Sequence, residues 1–143
     1  VNSNSFSSPS FSNVFTGGSY IEGKVIHSNA GVTTFSIGPY ELETLGNYVV
    51  GLKVGMLLRP EDIILSREVV RTSARNIVKA RVTGITNSSN NSGIVNIRLL
   101  VEGFSIIAKI TEESKIDLGI KEDDYVFAIF KASSPQVVRE EHF

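Results

Sequence analysis

From Tyr20 onward the chain is a succession of short apolar or alternating segments, each broken after a few residues by Gly, Pro, Asn or Ser. Such a rhythm makes a chain mainly β, because no segment but one has the length or the period of a helix. Tyr20–His27 leads through Ser28-Asn29-Ala30-Gly31 into Val32–Ile37. Gly38-Pro39 then separates it from Tyr40–Leu45, where Glu41 and Glu43 face away from Tyr40 and Leu42. Leu52–Arg59 runs into Pro60-Glu61-Asp62 before Ile63–Ser66, which makes about five strands in the first half. Arg59 reads as a structural residue that fixes this turn through Glu61 or Asp62.

In the second half Asn76–Thr86 is strand-like, the polar run Asn87–Ser92 closes with Gly93, and Ile94–Val101 alternates Val95, Ile97, Leu99 and Val101 against Asn96 and Arg98. Glu102-Gly103 is a hairpin turn, after which Phe104, Ile106, Ala108 and Ile110 share one face. There the period changes. Thr111 suits an N-cap, Glu112 and Glu113 suit the positive end of a first turn, and Gly119 suits a C-terminal stop, so Thr111–Leu118 is expected to form one short helix. Tyr125–Lys131 is apolar on both faces, hence a central strand, and Gln136–Arg139 is a last edge strand. Five strands with one short helix between the third and fourth is the order of an OB-type barrel. The expected architecture is therefore two small OB-like β-barrel subdomains, at 20–69 and 70–143, with the helix in the second. Residues 1–19 are mostly Ser and Asn and read as a tether, with Phe6, Phe11, Val14 and Phe15 as an end that docks.

Composition removes several kinds of chemistry. Without Cys there is no thiol nucleophile, thiolate zinc site or disulfide framework. The two His, His27 and His142, allow neither a histidine metal site nor a Ser-His-Asp constellation. A net charge of -1 gives no bulk attraction to nucleic acid or anionic lipid, so any anion site has to be local. No apolar run approaches the ~18 residues of a membrane-spanning helix. The start at Val1 reads as a piece of a longer protein.

Local donors occur in three places: Thr72-Ser73-Ala74-Arg75-Asn76 at the start of a strand, Thr111 to Ser114 at the helix N-terminus, and Lys131 at the end of an apolar strand. Hydroxyls, amides and cations are what a small dianionic oxyanion requires, since it offers only acceptors and must leave water with its charge compensated. Each place also has an ordinary role. Thr111 with its two Glu is a capped helix, Ser73 and Asn76 form turns, and Lys131 reaches solvent.

Residues 72–133 resemble the molybdate-binding Mop type of TOBE domain: TSARN, a hairpin, I-T-x-x-S, L-G-I, a short acidic turn, and a strand ending in K-A-S. Residues 20–66, with IEGKV and LLRPEDIILS, resemble the first part of the C-terminal regulatory region in ATP-binding subunits of ABC importers. Together they are similar to the C-terminal portion of a molybdate or tungstate importer's ATP-binding subunit. No GxxxxGK[ST] loop or LSGGQ signature occurs, so no ATP hydrolysis is expected of this chain. The resemblance implies a cytoplasmic location at the inner face of the membrane, no cofactor, and molybdate or tungstate as ligand. It further implies a homodimer in which Ser73, Arg75 and Lys131 of one copy face Thr111 and Ser114 of another. Nucleic acid is not expected as a partner, and the membrane only indirectly, through the permease. A freestanding cytosolic molybdate-binding storage or sensor protein is the alternative, as is a non-binding structural TOBE dimerisation module of an importer for another solute. Two positions depart from the family pattern. Asp117 stands where some relatives carry a basic residue, and Asp123 stands where the acidic turn often has Gly.

Overall fold

A computed structural model describes residues 18–87 and 93–141. The tether, with Phe6, Phe11, Val14 and Phe15, lies outside the described residues except for Gly18 and Ser19, as do His142 and most of the polar run before Gly93. The chain is mainly β, with ten strands and one helix among the described residues. In order they are β1 (Ser19–Asn29), β2 (Val32–Ile37), β3 (Tyr40–Leu45), β4 (Lys53–Leu58), a 3-10 turn at Pro60–Asp62, and β5 (Ile64–Ser66). There follow β6 (Asn76–Asn87), β7 (Ile94–Val101), β8 (Phe104–Thr111), the helix α1 (Glu112–Leu118), β9 (Tyr125–Phe130) and β10 (Gln136–Glu141).

Turn chemistry sets the hairpins. Ala30 and Gly31 both have positive φ (56° and 85°), the twist a two-residue hairpin needs between β1 and β2. Gly103, at φ 105°, closes the β7–β8 hairpin at the expected place. The helix forms as its ends predict. The Thr111 hydroxyl accepts from the Ser114 amide at 3.0 Å, and Gly119 terminates the helix in the left-handed conformation (φ 63°, ψ 40°). In the acidic turn Asp123 also adopts a positive φ, 72°, so this turn takes the shape that Gly would allow, and its carboxylate meets Arg81 at 2.9 Å.

Two five-stranded sheets result, ordered β10-β4-β1-β2-β3 and β5-β9-β6-β7-β8. Each half of the chain lends its last strand to the other half's sheet. Ile64–Ser66, expected among the strands of the first half, pairs with β9, and Gln136–Glu141 crosses back to pair with β4. Pro135, which has no amide hydrogen, separates β9 from β10, and its carbonyl accepts from the buried Thr44 hydroxyl at 2.8 Å. In the second sheet β8 lies against the Pro60–Asp62 turn and approaches β5, curling the sheet toward a barrel. The shift in β6–β7 register at Val82/Gly84 is a bulge that sharpens this curl.

Val95, Ile97, Leu99 and Val101 are buried on one face of β7, and β9 is central as expected. Buried side chains of both sheets, Val25 and Phe35 from the first and Val78, Ile97 and Phe130 from the second, belong to one contiguous core. Removing a side chain of the Phe35 class from water stabilises the fold by about 2–3 kcal/mol. The 3-10 turn is held as expected, with Arg59 Nε 3.3 Å from Asp62 Oδ2 and a longer approach to Glu61.

Arg67 joins the β5–β6 connection to the barrel. Its guanidinium donates to the carbonyls of Leu118, Gly119 and Tyr125 and to the Asp124 carboxylate at 2.6–3.2 Å, answering the acceptor end of α1. The Arg67 hydrogen bond, with a bond from the Lys121 amide, holds the Asp124 carboxyl below its ordinary pKa. A depressed carboxyl contributes stability above the unfolded pKa of ~3.9 and loses it as pH falls through the folded value. Arg67→Ala should therefore lower stability at neutral pH. Its deficit relative to the parent should shrink below pH 4, as thermal melts across pH 2.5–7 would record. An unchanged difference at acid pH would contradict the pairing.

Candidate functional site

Strand register brings two distant segments together. Asn76 pairs with Phe130 across β6 and β9, so Thr72–Arg75, just before β6, lies beside Lys131, just after β9. The two segments line an open cleft of about 440 Å3, with Thr72, Ser73, Lys131, Ser133 and Ser134 on its lining together with Arg59, Glu61 and Asp62. Lys131 opens a turn closed by the Ser134 amide on the Lys131 carbonyl at 2.9 Å, which folds Ser133 and Ser134 back toward it.

Arg59 is already engaged by Asp62 and Glu61, whereas Lys131 has no ion-pair partner among the described residues. The cleft thus presents Lys131, a cation outside any ion pair among the described residues, beside hydroxyls, while the Arg59–Glu61–Asp62 cluster on the same lining carries one net negative charge. That set can surround a small anion, neutralise part of its charge and replace hydrogen bonds lost from water.

Of the five residues expected to form the site, Ser73 and Lys131 line this cleft together. Arg75 is next to it, but its Nε lies 3.4 Å from the Glu43 carboxylate of β3 and its side chain is 64% exposed. Thr111 and Ser114 are elsewhere. Thr111 pairs with Ile94 at the far end of β7–β8, whereas the cleft is at the Asn76 end of β6. There the Thr111 hydroxyl caps α1 and donates to the Ser114 hydroxyl at 2.9 Å. Within one chain, then, two of the expected residues share a cleft, one adjoins it and two lie apart.

Sequence reasoning did not count Ser133, the Ser of the K-A-S motif, or Ser134 after it among the site residues. Beside the strand start, its ordinary role for Asn76 was that of a turn former. Asn76 is instead wholly buried and joins the sheets: Oδ1 accepts from the Glu43 amide at 2.7 Å, and Nδ2 donates to the Glu43 carbonyl at 3.0 Å and to the Lys131 carbonyl at 3.5 Å.

The family model of the TOBE domain matches residues 72–135, the stretch from Thr72 through the cleft-lining serines. This segment matches the TOBE domain. The chain is 46% identical over 85 residues to the molybdate/tungstate import ATP-binding protein WtpC of Pyrococcus horikoshii and 45% identical over 85 residues to that of Pyrococcus abyssi. Each match covers 59% of this chain and 24% of the relative, so the matched part spans about a quarter of the relatives' length. In three dimensions the chain resembles the cytoplasmic molybdate-binding protein ModG, with a TM-score of 0.71 over 82% of this chain and 93% of that one. At 22% identity the likeness establishes the fold shared by the TOBE segment and the strands around it.

Proposed function

We propose that the chain binds a tetrahedral dianion of the molybdate and tungstate class in the cleft between the SARN and K-A-S segments, as the regulatory portion of an importer's ATP-binding subunit. The observation that carries this reading is the meeting of Ser73 and Lys131 in one hydroxyl-lined cleft, with Lys131 in no ion pair among the described residues. Lys131 supplies charge, Ser73, Ser133 and Ser134 supply hydrogen-bond donors, and Arg75 swings in from the rim. The metal is not ligated by the protein; its oxo groups accept hydrogen bonds, and a cavity matched to its longer bonds discriminates it from sulfate. The WtpC relatives, molybdate/tungstate import ATP-binding proteins, support the ligand class and the attachment to an ATP-binding domain.

The site is completed by a second copy. Thr111 and Ser114 do not line the cleft of their own chain. In a twofold dimer they approach the partner's cleft, and each interface then holds the same set of groups. Anion binding ties the two copies together and biases the attached ATPase, which requires that the anion bind one arrangement of the dimer more tightly than the other. A freestanding molybdate-binding protein is the second reading, favoured by one observation: this architecture alone covers 93% of the ModG chain.

Ligand held only by the native dimer stabilises it by mass action, ~2.7 kcal/mol at a hundred times the dissociation constant. A thermal melt should shift upward with molybdate or tungstate and far less with equal sulfate, and sedimentation with anion present should show a dimer. Equal shifts with sulfate would overturn the ligand class, and a strictly monomeric species would overturn the shared site.

A further inference from the structure

Glu43 belongs to the first sheet, yet both its backbone and its side chain are tied to the cleft segment. Asn76 holds the Glu43 amide and carbonyl, and through the Lys131 carbonyl it fixes residue 43 beside the far wall of the cleft as well. The carboxylate of that fixed residue then takes Arg75 by a single contact at Nε, 3.4 Å long. Arg75 has no other partner among the described residues.

We propose that Glu43 is a built-in competitor for the oxyanion: its carboxylate holds Arg75 when the cleft carries no ligand and gives it up when ligand binds, so that the first sheet registers occupancy of a site on the second. The proposal rests on the oxyanion reading above. Competition is feasible because an ion pair with so exposed a guanidinium contributes little, so a dianion paired with Lys131 can draw Arg75 away. Glu43 cannot follow. Its backbone is bracketed by Asn76 and it does not line the cleft, so its carboxylate stays behind when Arg75 leaves. Competition for Arg75 sets a ceiling on affinity. The ligand-linked change is local: one guanidinium moves from β3 to the cleft, and the contact between the sheets at residue 43 loses its ionic part while keeping its backbone bracket.

The test is isothermal titration of the whole chain and its Glu43→Gln variant with sodium molybdate. Gln keeps the shape and the backbone bracket and removes the charge, so the variant should bind about three- to tenfold more tightly while its ligand-free melt stays at the parent's value. In an Arg75→Ala background the gain should shrink to less than about twofold, because no guanidinium remains to compete for. A parent that binds and a Glu43→Gln variant that binds equally or more weakly would overturn the proposal alone. A parent giving no heat with molybdate would overturn the site reading and the proposal with it.

Discussion

Asn76→Ala should destabilise the fold by about 2–3 kcal/mol, since it leaves the partly buried Glu43 amide and carbonyl without their partner at ~1–3 kcal/mol each. The expected readout is a melting temperature lower by roughly 10 °C. No apolar contact explains so large an effect at an amide, and none is needed. The side chain is fully buried and its oxygen and nitrogen are used in opposite senses on the two polar groups of one residue. Asn76→Asp supplies the control: it keeps an acceptor for the Glu43 amide but sets a carboxylate against the Glu43 and Lys131 carbonyls. It should therefore be no more stable than the Ala variant. A loss below about 2 °C for Asn76→Ala would mean that the two sheets are joined by their shared core alone.

Lys131→Ala carries the largest expected effect on binding. The lysine is exposed and touches no acidic group, so truncation should leave the melt nearly unchanged, whereas a charge-assisted hydrogen bond to a dianion is worth ~1.5–3 kcal/mol. Molybdate affinity should fall by between about tenfold and a hundredfold. Arg75→Ala should weaken binding by a factor near the lower end of that range, because part of what Arg75 offers the anion is already spent on Glu43. Lys24→Ala, which removes an equal charge from β1 on the first sheet, separates a local contact from a general loss of positive charge. Parent-like affinity in Lys131→Ala would contradict a role for Lys131 in holding the anion.

These expectations divide along the line between what sequence patterns encode and what pairing adds. Alternation in Ile94–Val101 and Phe104–Ile110 fixes which side chains face the core, because the side-chain period of a strand is two. Thr111 and Gly119 fix the helix ends through backbone groups that must be satisfied locally. Partner choice is another matter. Nothing in Ile64–Ser66 or Gln136–Glu141 states which edge will accept it, since short strands carry a face but little register, and both strands cross to the other sheet. The same limit governs the site. Ser73 and Lys131 were legible as donors, and their meeting depends on the Asn76–Phe130 pairing that only the folded sheet supplies. The place of Arg75 depends on Glu43 of the opposite sheet, and the bracket at Asn76 has no sequence signal beyond an Asn at the head of a strand.

The central claim is that this chain holds a molybdate-class oxyanion in the Ser73–Lys131 cleft. Isothermal titration of the purified chain with molybdate, tungstate, sulfate and phosphate under one buffer tests it most directly. Saturable heats are expected with molybdate and tungstate, with at least about tenfold weaker binding of sulfate and phosphate and a roughly tenfold or greater loss of molybdate affinity in Lys131→Ala. Absence of saturable heat with molybdate, or affinity for sulfate equal to that for molybdate, would contradict it.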